Sequence, residues 1–257
     1  PFRVHGLRAS LHGSLAFTGV GHATDRAVIL GLAGFRADDY DADRAEAELA
    51  RIAAEGHVTP KGLSQMRFLP ERDLVFDYGP ALPGHANGLI LRGLDAQGDV
   101  ITQETYYSIG GGFVVTAAEL AAGADKAEGP PVPFPFKSAR EMLDMAAESG
   151  LSIAAMKRQN ELTRRTGAEI DRGLARIWEV MSACIDRGMA GDGILPGGLK
   201  VRRRARGIHE KLLVERGLNL VAPHTINDWM SMYAMAVNEE NAAGGQVVTA
   251  PTNGAAG

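Results

Sequence analysis

The chain has almost no cysteine: Cys184 is its single thiol. An internal disulfide is thereby excluded, and so is an iron–sulfur site or zinc ribbon assembled from this chain's own cysteines. A reducing, cytoplasmic setting is the default for such usage. Long apolar runs are missing as well. None approaches the ~20 residues that cross a bilayer, so no membrane partner is expected. Pro1-Phe2-Arg3 lacks the charged-then-apolar order of a secretory signal. The net charge of −4 exerts no global pull toward nucleic acid or an anionic surface. Internal repeats and low-complexity tracts are absent too.

What is there divides into two textures. At 257 residues the chain suits one large domain or two smaller ones, each able to bury a core. In the first third, "RVHGLRASLHGSL" has a loose period of two and predicts a strand, and "ATDRAVILGLAG" predicts a helix ending near Gly34. "DADRAEAELARIAAEG" predicts an amphipathic helix closed by Gly56. "MRFLPERDLVF" reads as extended chain, with Pro70 placing it at an edge or in a loop. "GLILRGL" and "VITQETYYSI" read as two strands joined by a Gly-containing turn. The expectation is an α+β domain on an antiparallel sheet over residues 1–116.

Residues 117–136 end in Pro130, Pro131, Pro133 and Pro135 and predict an extended linker. Residues 137–257 then predict a mostly α-helical domain. Ser138 and Glu141 have capping-box spacing before a helix that Gly150 can end. "SIAAMKRQNELTRR" continues the helical texture. Ile170, Leu174, Ile177, Met181 and Cys184 step by four or three along one helix face, so Cys184 reads as core filler. "AGDGILPGGLKVRRRARG" reads as a loop, its arginines solvated or in contact with another subunit.

The last helix offers a candidate site, although amides that cap the helix end, with Gly244 and Gly245 as the turn, explain the same residues. Its stripe of Ile226, Met230, Tyr233 and Val237 leads to Asn241, with Asn238 three residues earlier. A buried amide without partners costs about 1–3 kcal/mol. Thr249, Thr252 and Asn253 add hydroxyl and amide groups among small residues, which together suggest a pocket for a small polar ligand. A second cluster, Ser14, Thr18 and His22 in "GSLAFTGVGHATD", sits where a strand meets a helix, a junction whose backbone amides can hold a carboxylate or phosphate. A plain glycine-rich turn explains the same residues. Gly19-Val20-Gly21 lacks the third glycine of a dinucleotide fingerprint. Gly110–Gly112, after "YYSI", allow a bulge or a seam. Lys137 has no glycine-rich phosphate cup nearby, so no pyridoxal phosphate is expected.

Taken together, "GSLAFTGVGHATDRAVILGLAG", "ETYYSIGGGFVV", "PFPFKSAREML", "QNE", "CIDRGM", "GILPGGLKVRRRA" and "AVNEENAAGGQVVTAPTNGAAG" resemble the bacterial iron–sulfur L-serine dehydratases. The resemblance runs in order across nearly the whole chain. It implies a lyase that converts L-serine to pyruvate and ammonia, with a [4Fe-4S] cluster as Lewis acid on the substrate hydroxyl. It implies a first domain similar to the allosteric substrate-binding module of a biosynthetic dehydrogenase, followed by a helical catalytic domain, incomplete here. The expected partners are L-serine and a second copy of the chain in a homodimer, with no nucleic acid.

The family's opening Ser-Ser-Ser-His-Thr-Val-Gly-Pro segment and its cluster cysteines are absent. The cysteines are expected beyond Gly257, so the sequence reads as an inactive fragment with no metal ligand of its own. Ala256 stands where some members have cysteine, at a position that is not a cluster ligand. By carry-over, Ser14, Thr18, His22, Asn238, Glu239, Asn241, Thr252 and Asn253 are expected to bind substrate. Lys137 and Ser138 are weaker candidates, and the base that takes the α-proton is unnamed. A cluster-free serine-binding or regulatory protein that retains the first domain is the alternative.

Overall fold

The computed structural model describes residues 3–110, 112–123, 130–196, 199–216 and 224–248. Contacts divide the chain into two units, one of Pro1–Gly123 with Cys184–Gly257 and the other of Ala124–Ala183.

The first unit opens with β1 (Gly6–Gly13), α1 (Ser14–Gly19), α2 (Thr24–Leu32) and α3 (Ala42–Glu55). Asp41 caps α3 by accepting the Arg44 N–H, and Gly56 ends it at φ +67°, a left-handed conformation that glycine adopts freely. Short strands β2 (His57–Val58) and β3 (Met66–Arg67) follow, then a single turn α4 (Pro70–Asp73) and β4 (Leu74–Asp77). Pro70 therefore starts a helical turn rather than lying in extended chain. Its fixed φ suits the first helical position, and buried Asp73 closes the turn by accepting the Leu69 N–H at 2.9 Å. β5 (Asn87–Leu94) and β6 (Val100–Gly110) form the expected hairpin. Asp95 accepts three backbone N–H groups in its turn. β7 (Phe113–Thr116) completes the sheet.

The strand order is β2-β3-β1-β5-β6-β7, with β4 also beside β1. The expectation of an antiparallel sheet needs correction: β1 is antiparallel to β5 but parallel to β3 and β4. The chain crosses over through α1 to α3 before it returns, so it re-enters in the same direction as β1. Ala9 and Leu11 on one face of β1 join Leu74, Ile29, Ile52 and Phe68 in the core. Ser10 and His12 take the other face.

The linker expectation changes too. Its first residues fold as α5 (Ala117–Ala121), with Thr116 and Glu119 in a reciprocal capping box. Residues 124–129 lie outside the described set, and residues 130–136 have no regular structure.

In the second unit, Ser138 caps α6 (Ala139–Ser149) and Ser152 caps α7 (Ile153–Leu162), and Gly150 is left-handed at the end of α6. Asn160 holds Phe134 at both its N–H and its carbonyl. The unit boundary falls within α8 (Gly167–Ala190). On the expected apolar face of α8, Leu174, Ile177 and Met181 are exposed while Cys184 is buried.

Two helices complete the first unit. α9 (Ala205–Arg216) occupies the end of the expected loop and continues past it. α10 (Thr225–Ala242) is the expected last helix, but it buries a different face. Ile226 and Met230 are 67% and 59% exposed, whereas Thr225, Met232, Ala236, Glu239 and Glu240 are buried. The stripe of Ile226, Met230 and Tyr233 is thus outward. The reason lies in the neighbours: α10 packs on α9, and Arg187 at the end of α8 donates to its Glu240. Gly188 admits the Ala236 carbonyl so closely that a Cβ there would lie 2.2 Å from it. Among the described residues, no helix is long and apolar enough to cross a membrane.

Candidate active site

A cavity of about 380 Å³ is lined by one candidate side chain from each of the two clusters that the sequence singles out, His22 and Asn241. His22 and Ala23, at the start of α2, face it from one side. Asn241 and Gly244–Val247, at the end of α10, face it from the other. Leu30 and Phe35 give it an apolar part, and Arg26, Arg36 and Tyr40 supply polar groups.

Local chemistry explains the His22 side. Ala23 sits at φ 53°, ψ 33°, a left-handed conformation that costs a non-glycine residue about 1–2 kcal/mol. It turns the chain sharply between the glycine-rich turn and α2, whose start has no side-chain cap. The His22 N–H is shared between the carbonyls of Thr18 and Gly19 at 3.2 Å each. The Thr18 hydroxyl donates to the Ser14 carbonyl at 2.7 Å, inside its own helix. Ser14 and Thr18 are exposed on α1 and are not among the described cavity-lining residues.

On the other side, Glu239 and Glu240 of α10 are not among the described cavity-lining residues. Glu239, 3% exposed, accepts the backbone N–H groups of Arg204 at 2.7 Å and Ala205 at 3.2 Å. Those are the first free donors of α9. Glu240 accepts from Arg187 Nε at 2.9 Å and faces an Arg203 terminal nitrogen at 3.5 Å. Of the four arginines read as solvated or subunit-contacting, Arg203 is therefore taken into a part-buried ion pair. Asn238 is exposed and is not among the described lining residues. Thr249, Thr252 and Asn253 lie outside the described residues. Ser138 accepts the Glu141 N–H, and the Lys137 N–H donates to the Glu141 carboxylate, so both stand at the cap of α6 in the second unit.

Sequence reasoning missed Arg26, Arg36, Tyr40, Arg187 and Gln246. Arg26 is paired with Glu46, and Arg36 forms a two-pronged pair with Asp38 that holds this exposed carboxyl below its usual pKa. Tyr40 donates to the Gly244 carbonyl at 2.9 Å, and Arg187 donates to the Gln246 carbonyl at 3.2 Å. Only Gln246, directly after the glycine pair, carried a local signal.

Histidine is the one residue type among the described lining groups that commonly exchanges a proton near neutral pH. The arginines stay charged. The residues do not fit an iron–sulfur ligand set. Among the described residues no three His, Cys, Asp or Glu side chains converge as metal donors. Cys184 is buried, and burial, together with the nearby Glu240 charge, pushes its thiol up, away from the thiolate that a cluster needs.

Comparison with known proteins follows the same two textures. Residues 2–119 match the model "Serine dehydratase beta chain", and residues 148–257 match "Serine dehydratase alpha chain". The chain is 47% identical over 256 residues to an L-serine dehydratase of Streptomyces coelicolor, covering 99% of this chain and 55% of that protein. It is 43% identical over 252 residues to L-serine dehydratase 1 of Escherichia coli, covering 98% and 54%. With an L-serine dehydratase of Mycobacterium tuberculosis it shares 41% over 251 residues, covering 98% and 53%. The chain thus spans about half the length of the curated relatives it matches. With beta-chain and alpha-chain matches in order along one polypeptide, it belongs to the serine dehydratase family.

Proposed function

We propose that the intact protein is an L-serine ammonia-lyase, and that the cavity between His22 and Asn241 is the portion of its serine site that this chain supplies. The observation that carries the reading is the meeting of these two residues, from opposite ends of the sequence, on one cavity. L-Serine presents a carboxylate, an ammonium group and a β-hydroxyl. The uncapped start of α2 offers positive charge for the carboxylate, with Arg26, itself paired to Glu46, on the same cavity. The Asn241 carboxamide oxygen is an acceptor for the ammonium group.

In this reading His22 takes the α-proton. Loss of the hydroxyl then leaves 2-aminoacrylate, which tautomerises to an imine, and water hydrolyses the imine to pyruvate and ammonia. Hydroxide leaves readily only when positive charge receives it. The [4Fe-4S] cluster that the resemblance implies would be such a charge, but its ligands do not fit the described residues. The steps assigned to this chain therefore stop at proton removal and substrate orientation.

The test is pyruvate release from L-serine by the intact protein, purified without air. His22→Ala is expected to lower kcat by about 100-fold or more, the range of a general base. Unchanged turnover would remove His22 from the chemistry. Serine binding without pyruvate, even in the wild type, would leave a serine-binding regulator in place of the enzyme.

A further inference from the structure

The strap Gly244–Val247 forms one wall of the cavity and belongs to no helix or strand. A wall of that kind needs outside support. Two side chains remote in sequence grip its carbonyls. Tyr40, just before α3, donates its hydroxyl to Gly244 O at 2.9 Å. Arg187, near the end of α8, donates to Gln246 O at 3.2 Å.

Arg187 holds more than the strap. Its Nε donates to Glu240 Oε1 at 2.9 Å, while Arg203 faces Glu240 Oε2 at 3.5 Å. The Gly245 N–H returns to the Glu240 carbonyl at 2.9 Å. A Cβ on Gly245 would stand 2.1 Å from Glu240 Oε1, so any side chain there would have to displace the carboxylate that Arg187 holds. A planar guanidinium can serve two acceptors at a fixed separation, whereas a lysine ammonium is a compact point charge.

We infer that Arg187 and Tyr40 are positioning residues, which clamp the Gly244–Val247 strap and thereby set how Asn241 and Gln246 meet a small amino acid. The effect on substrate rests on reading this cavity as the serine site. The clamp itself rests on the two hydrogen bonds. Neither donor is buried, and Arg187 is 46% exposed. Removing either bond leaves its carbonyl open to water, so the loss falls on the strap's order rather than on the core.

The experiment uses the intact protein with Tyr40→Phe, which deletes only the hydroxyl, and Arg187→Lys, which keeps the charge beside Glu240. Hydrogen exchange of the strap amides and the steady-state constants for L-serine are measured together. Both variants are expected to exchange faster across the strap. Each should raise KM by about fivefold, the factor one net hydrogen bond carries, with kcat within about twofold and melting unchanged. Unchanged exchange in both variants would overturn the clamp. Faster exchange with an unaltered KM, in an active wild type, would overturn the positioning role. Faster exchange in a protein whose wild type turns over no L-serine would support the clamp and reject the serine reading.

Discussion

The Glu239 carboxylate accepts the backbone N–H of Arg204 at 2.7 Å, across 35 positions of sequence. Its second oxygen takes the Ala205 N–H. One acidic side chain of α10 thus closes the start of α9, the role a Ser or Asp usually fills from within its own helix. Glu239→Ala is expected to destabilise the protein by about 1–3 kcal/mol, because one buried and one part-buried donor lose their partner. Denaturant unfolding measures the loss, and amide exchange should show it concentrated in the first turn of α9. An unchanged midpoint would mean that water caps the helix equally well.

Gly188 is a packing residue. Any Cβ there meets the carbonyl of Ala236, which cannot move without moving α10. Gly188→Ala is expected to cost about 1–3 kcal/mol by overpacking, despite the better helix propensity of alanine. The melting temperature reports the sign directly: a rise would show that α8 and α10 separate freely.

Asp73 links stability to pH. Burial pushes its carboxyl up, but the Arg72 guanidinium, the Leu69 N–H and Arg8 together outweigh burial and hold it below its usual value of 3.8. A depressed folded pKa contributes stability that is fully present above 3.8 and is lost as pH falls through the lower folded value. Asp73→Asn is therefore expected to destabilise the protein near neutrality and to flatten the acid limb of its stability curve below about pH 4. Chemical denaturation at stepped pH separates the two effects. A variant that keeps the same acid limb would assign that limb to other carboxylates.

Much of the local structure was legible. β1, the β5–β6 hairpin, α3 and α6 are specified by apolar period, caps and turn residues within a few positions of one another, so short-range reasoning reaches them. α9 was not legible. Gly207 and its arginines give no amphipathic signal, and its cap comes from Glu239 on another helix. The outward stripe of α10 shows the complementary failure: an apolar period identifies a helix, but the neighbours decide which face is buried.

The candidate site divides in the same way. His22 and Asn241 stood out by residue type beside glycine-rich turns, and the family could be recognised from the order of such segments. Tyr40 and Arg187 had no distinguishing context, because their hydrogen-bond partners are carbonyls far away in sequence. By itself the sequence determined the secondary elements that carry their own caps and turns, since those interactions close over a few residues. Only the tertiary structure decided the parallel entry of β4, the buried face of α10 and the meeting of His22 with Asn241. Each of these depends on where the chain returns after a long crossing, and no local period encodes that.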